Sequence, residues 1–230
     1  MLLMCSGVLY NAWLVQSVLV TGVDPVHTFV SELLAEGQPY GSLFRAIDLL
    51  AGGCAAAAAV LALDARLPRG RWETAGWWAF GVFGAATMVD SRSPLTCALV
   101  ADRACFAREV AGLAPVSHTV HATTSAVSTA AALAAMTAFT VASRRCDRST
   151  AVHIDRSAQG LVLVQWAVNV WLMVAVIVLM TRSVNLWVGL AERSQELLLA
   201  GWTLLSAAGL IPAERPPLTA RPQAARRRVS

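Results

Sequence analysis

Apolar residues along this chain run in blocks of membrane-spanning length, separated by short polar segments in which arginines gather. A hydrocarbon core about 30 Å thick needs roughly 20 apolar residues per helix. Scanning at that length predicts six helices, at 2–22, 46–63, 74–89, 116–142, 159–181 and 185–211. The first run lacks the basic start and the small-residue cleavage site of a signal peptide. It also carries Asn11, Trp13 and Gln16 through its middle, so it reads as a retained helix. The third is short, but Trp72, Trp77 and Trp78 near one end resemble an interfacial aromatic belt and mark it as spanning. The expected fold class is all-α, a polytopic integral membrane bundle of about six transmembrane helices over residues 1–211. The segment 212–230, with repeated prolines and arginines and few apolar residues, reads as a disordered tail.

Composition narrows the class further. With 57% hydrophobic residues, 14% charged and a mean hydropathy of +0.58, the chain is too apolar for one water-soluble domain. Five cysteines among 230 residues exclude a disulfide-stapled mini-protein. The net charge of +4 is carried entirely by arginines, which flank apolar runs and therefore report topology rather than nucleic-acid binding. Arg66, Arg69 and Arg71, then Arg144, Arg145, Arg148 and Arg156, then Arg226 to Arg228 all fall on one side of a six-helix arrangement. Both termini are accordingly expected in the cytoplasm of a bacterial cell, with the protein in the inner membrane. The tail arginines are expected either to touch anionic membrane lipids or simply to anchor topology.

The opposite side receives 23–45 and 90–115, the latter holding Cys97 and Cys105. Two cysteines eight apart on a non-cytoplasmic face can close a small loop by a disulfide. A metal pair is the competing reading, although the usual C-x-x-C spacing is absent.

Ionisable groups inside a bilayer are costly, so each needs a partner or a purpose. Here they coincide in depth. Asp48 follows Arg45 by three residues near the start of the second run, and Asp90 closes the third. His118 and His121 open the fourth, while Glu192, Arg193 and Glu196 lie two to three turns into the last. Together they can line an outward-open polar cavity. The segment 31–41, ending in Gly37-Gln38-Pro39-Tyr40-Gly41, can lie across it as a lid or run past it as a connector.

These residues carry a resemblance. Asp24-Pro25, the run 30–39, Leu43-Phe44-Arg45-Ala46-Ile47-Asp48, the two-cysteine loop, Ser117-His118-Thr119-Val120-His121 and Gly189-Leu190-Ala191-Glu192-Arg193 resemble the bacterial membrane proteins grouped as domain of unknown function 998. The resemblance reaches to about residue 211 and implies a six-helix membrane protein. A weaker similarity links the chain to the alkaline-ceramidase-like membrane hydrolases, which set a serine, an aspartate and several histidines around zinc. It implies roles for Ser31, for Asp48 or Asp90, and for His118 with His121. The late histidine pair of those hydrolases is replaced here by Glu192-Arg193.

Three function classes follow. A metal-assisted hydrolase would use His118 and His121 as zinc ligands, with a third ligand from Asp48 or Asp90. A metal-free enzyme would use Asp48, Asp90, Glu192 or Glu196 as general acid or base on a lipid-soluble substrate, for example in cyclising a polyprenyl chain. A transporter or accessory protein would need no chemistry, and no internal repeat supports the former. The expectation is a cavity that processes or binds an apolar or lipid-like small molecule, with Ser31, Arg45, Arg193 and Glu196 contacting it. Arg193 is expected either to pair with Asp48 or Asp90 as a structural ion pair or to bind an anion.

Overall fold

The computed structural model describes residues 1–65, 69–145 and 156–209. Arg66, Cys146, Arg148, His153 and the tail from 210 onward lie outside the described residues. Among those described, all regular structure is helical. The elements are α1 (Leu2–Leu9), a 3₁₀ turn (Ala12–Ser17), a second 3₁₀ turn (Val30–Leu34), α2 (Gly41–Asp64), α3 (Arg71–Ser91), α4 (Arg103–Val110), α5 (Val116–Arg145), α6 (Arg156–Arg182) and α7 (Val188–Gly209).

Three helices are long and apolar enough to cross a membrane: Gly41–Asp64, Val116–Arg144 within α5 and Gln159–Arg182 within α6. The chain is a membrane protein on that ground. Helices α3 and α7 are of similar length, but each carries charged residues that lower its hydropathy.

The first apolar run is not one helix, contrary to the expectation from its length. Helix α1 stops after eight residues, because the buried Asn11 spends its side-chain amide on the carbonyls of Gly7 (3.2 Å) and of Glu196 on α7 (3.4 Å). The chain then continues as a 3₁₀ turn and an irregular segment. Helix α4 was not predicted at all. It starts at Asp102, whose Oδ1 accepts hydrogen bonds from the N–H groups of Ala104 and Cys105.

Two layers of packing hold the bundle. Helix α3 lies between α2 and α5, and α7 packs on α6 and α1. The α2–α3 seam is close because it is made of glycine. A Cβ added to Gly52 would stand 2.6 Å from the Gly84 carbonyl, and one added to Gly84 would stand 2.5 Å from the Ala56 nitrogen. Gly84→Ala is expected to force the helices apart and cost about 1–3 kcal/mol, read as a lowered thermal midpoint in detergent. An unchanged midpoint would contradict this packing.

The main core fills one end of the bundle. Trp77, Phe80 and Phe83 of α3 meet Met136 and Phe139 of α5 and Trp202 of α7 there, with Trp77 and Phe139 edge to face at 5.0 Å. At this same end Arg69 caps α2 by donating to the carbonyls of Ala62 and Leu63. The opposite end is where the polar residues gather.

Candidate functional site

At that second end α5 and α6 diverge. They are pinned near the core by Arg144 to Gln159 (3.0 Å) and Trp166 to Thr137 (3.2 Å), and little joins them beyond. The space between them is a cleft of about 700 Å³. Its walls are mostly apolar: Ala126 and Leu133 from α5, Met173, Val176 and Met180 from α6, with Phe29, Leu34 and Phe44 opposite. Its floor is polar and contains Asp48, Asp90, His121, Glu192, Gln195 and Glu196, drawn from four helices.

Each polar residue has a defined setting. Asp90 accepts hydrogen bonds from Thr124 and from Ser125 (3.1 Å), and His121 Nδ1 stands 3.1 Å from the same Oδ1. Asp48 lies within electrostatic reach of Asp90, His121 and Glu192. Glu192 Oε2 accepts the Val30 N–H at 2.6 Å, tying α7 to the second 3₁₀ turn. Glu196 is 7% exposed and its Oε2 has no hydrogen-bond partner among the described residues; the same is true of Gln195 Oε1. Tyr10, packed edge to face on Phe83, lines the same cleft; in the sequence it is one more aromatic in an apolar run. Ser31 also lines the cleft.

His118 plays a different part from His121. It is almost fully buried, and the Thr96 N–H donates to its Nε2 at 3.1 Å, which leaves Nδ1 as the donor to Glu109 at 2.8 Å. The ring therefore bolts the 92–102 loop and α4 onto α5. Cys97 and Cys105, joined by a disulfide, close the same loop. The expected zinc pair does not fit this arrangement. The His118 Nε2 lone pair is taken, and the sulfurs beside His118 are held as a disulfide rather than as thiolates.

Arg193 and Arg45 also depart from expectation. Arg193 makes no ion pair with Asp48 or Asp90. It is buried and donates to the carbonyls of Thr28 (2.8 Å) and Gly189 (3.2 Å) and to Gln16 Oε1 (3.0 Å), with Trp13 against its guanidinium at 5.5 Å. Backbone carbonyls and an amide outbid the carboxylates because the 24–30 segment crosses the start of α7 directly above it. Gly189 permits that crossing, since a Cβ there would collide with the Thr28 carbonyl. Arg45 donates to the Leu34 carbonyl at 2.5 Å rather than to Asp48.

The segment that precedes α2 is a packed wall of the cleft. Leu33 and Leu34 are buried, and Glu36 N–H donates to the Leu95 carbonyl at 2.8 Å. Glu32 is fully buried and receives the N–H groups of Phe29, Val100 and Ala101. Burial pushes its carboxyl above the ordinary value, and the N–H groups of Ala101, Val100 and Phe29 pull it back only in part. Nearby, the His27 imidazole, 2.7 Å from Asp24, holds that exposed carboxyl below its ordinary value.

For Glu32 the raised value means that the folded chain binds more protons than the unfolded one between the two values. Stability therefore falls as pH climbs through that window. Glu32→Gln is expected to flatten this decline, measured as the unfolding midpoint between about pH 4 and about pH 8. A decline that persists unchanged in the variant would assign it to another group.

The structure thus defines a helical membrane protein with a cleft that is apolar along its walls and acidic at its floor. Residues 3–209 match the family described as "Protein of unknown function (DUF998)", and the chain belongs to that family. No curated protein and no solved structure matches it.

Proposed function

We propose that this chain is a multi-pass protein of the bacterial inner membrane, with both termini cytoplasmic, and that its cleft binds or processes an apolar or lipid-like small molecule from the outer side. The observation that carries the reading is the meeting of a methionine-rich apolar wall on α6 with the Asp48, Asp90, His121, Glu192 and Glu196 floor in one cleft open between α5 and α6. An apolar chain would lie along α5 and α6, and its polar end would reach the floor. In the sequence Arg66, Arg69 and Arg71 cluster around the connection from α2 to α3, and Arg144, Arg145, Arg148 and Arg156 around the connection from α5 to α6, and this clustering supports the orientation.

The chemistry we favour is acid–base and needs no metal. His121 and Asp90 form a pair through which a proton can pass to or from a bound polar group, with Asp48 or Glu192 as the complementary acid or base. His118 and Glu109 also line the cleft, and their bond holds the 92–102 loop and α4 beside this site.

Mass spectrometry of lipids co-purified with the detergent-extracted protein tests the reading. The wild type is expected to carry one lipid class enriched at least tenfold over the bulk membrane. His121→Ala, Asp90→Asn and Ala126→Trp, which fills the cleft at an exposed lining position, should fall back to bulk composition. A wild type without enrichment, or enrichment unaffected by Ala126→Trp, would contradict it.

A further inference from the structure

We infer that the molecule held in the cleft is a cationic amphiphile, an apolar chain ending in an amine-type head. The inference rests on the reading that the cleft holds a lipid-like molecule, and it adds the sign of the head. Asp48, Asp90, Glu192 and Glu196 reach the floor, while no arginine lines the cleft among the described residues and the chain contains no lysine.

Two cations stand near, and neither balances this excess. Arg193 is committed to Thr28, Gly189 and Gln16 and does not line the cleft. His121 faces Asp90, so it answers one carboxylate at most. The independent observation lies on α7. Among the described residues Glu196 Oε2 and Gln195 Oε1 are buried without a hydrogen-bond partner, on side chains that line the floor and are 7% and 3% exposed. An amide oxygen only accepts, and a carboxylate oxygen accepts when ionised. A buried acceptor without a donor costs about 1–3 kcal/mol, and a ligand that brings N–H groups relieves it once the side chain turns toward the cleft.

An ammonium head supplies three donors and a charge, and its hydrogen bonds to carboxylates are of the strong, charge-assisted kind. A phosphate or carboxylate head would meet like charge in a poorly screened site. A neutral hydroxyl head would bring no charge to set against those carboxylates that are ionised. The wall suits a range of chains, because Met173 and Met180 can repack around different lengths.

The test uses three probes of one chain length, dodecylamine, dodecanol and dodecanoate, with apparent Kd read by native mass spectrometry on the detergent-solubilised full chain. For the wild type the amine is expected to bind at least tenfold tighter than the alcohol, and the carboxylate weakest. Asp48→Asn/Glu196→Gln should reduce the amine preference to under threefold, and Ala126→Trp should abolish binding of all three. If the alcohol or the carboxylate binds the wild type as tightly as the amine, and Ala126→Trp still abolishes that binding, the cationic head is overturned and the lipid-binding cleft stands. An amine preference that survives in the double variant also overturns the inference, since the selectivity then arises elsewhere. If no probe distinguishes the wild type from Ala126→Trp, both readings fall.

Discussion

Replacing Arg193 with alanine is expected to destabilise the chain by at least about 3 kcal/mol, the largest loss from any single substitution considered for this fold. Among the described residues the guanidinium is the only side chain that ties α7 to both the 24–30 segment, through Thr28, and the first 3₁₀ turn, through Gln16, while it also donates to Gly189 on its own helix. Hydrogen bonds from a charged donor contribute about 1.5–3 kcal/mol each, and truncation also strands the Thr28 carbonyl beneath a collapsed strap. Loss of the Trp13 contact adds to this. Arg193→Lys should recover only part of the stability, because a point charge cannot reach three acceptors set around a planar fork. Thermal unfolding in detergent, followed by tryptophan fluorescence, measures it. A loss below about 1 kcal/mol for the alanine variant would mean that the strap is held by other contacts.

The two histidines, three residues apart on one helix, are expected to separate cleanly on mutation. His118→Ala should cost about 2–3 kcal/mol, because it removes a buried bond to the Glu109 carboxylate and leaves the Thr96 N–H without its acceptor. Ligand retention would fall with it, as the loop carrying Leu95 and Leu99 forms part of the cleft wall. His121→Ala should cost less than about 1 kcal/mol, since Asp90 keeps Thr124 and Ser125, yet should abolish retention of the co-purified lipid. Unfolding midpoints and lipid content of the two variants, measured side by side, decide the matter. Equal stability losses with equal lipid loss would put both histidines in one structural role.

Much of this architecture was legible in the chain. Block length alone located α2, α3, α5, α6 and α7 to within a few residues, because a buried or lipid-facing helix leaves an unbroken apolar signature. The depth coincidence of Asp48, Asp90, His121, Glu192 and Glu196 was readable for the same reason: charge is rare enough in such runs for position to carry information.

What could not be read was partner choice. Hydropathy does not register that Asn11 finds carbonyls on two helices, so the run that contains it looked continuous. Spacing at three residues suggested that His118 and His121 share a face, but those positions differ by about 60° around a helix, enough for α4 to claim one and α3 the other. Arg193 was matched to carboxylates because only side chains are visible in a sequence, whereas its acceptors are mainly backbone. Helix α4 has a single signal in the sequence, the aspartate at 102 that opens it.

The central claim is that a lipid-like molecule occupies the cleft between α5 and α6. It is tested most directly by a long-chain photoreactive lipid with a diazirine near its chain end, crosslinked in nanodiscs and mapped by peptide mass spectrometry. Adducts are predicted on cleft-lining residues, Met173, Val176 and Leu133 foremost, and should disappear in Ala126→Trp. Labelling confined to exposed residues of α6 that do not line the cleft, such as Leu163 and Ile177, in both proteins would contradict the account.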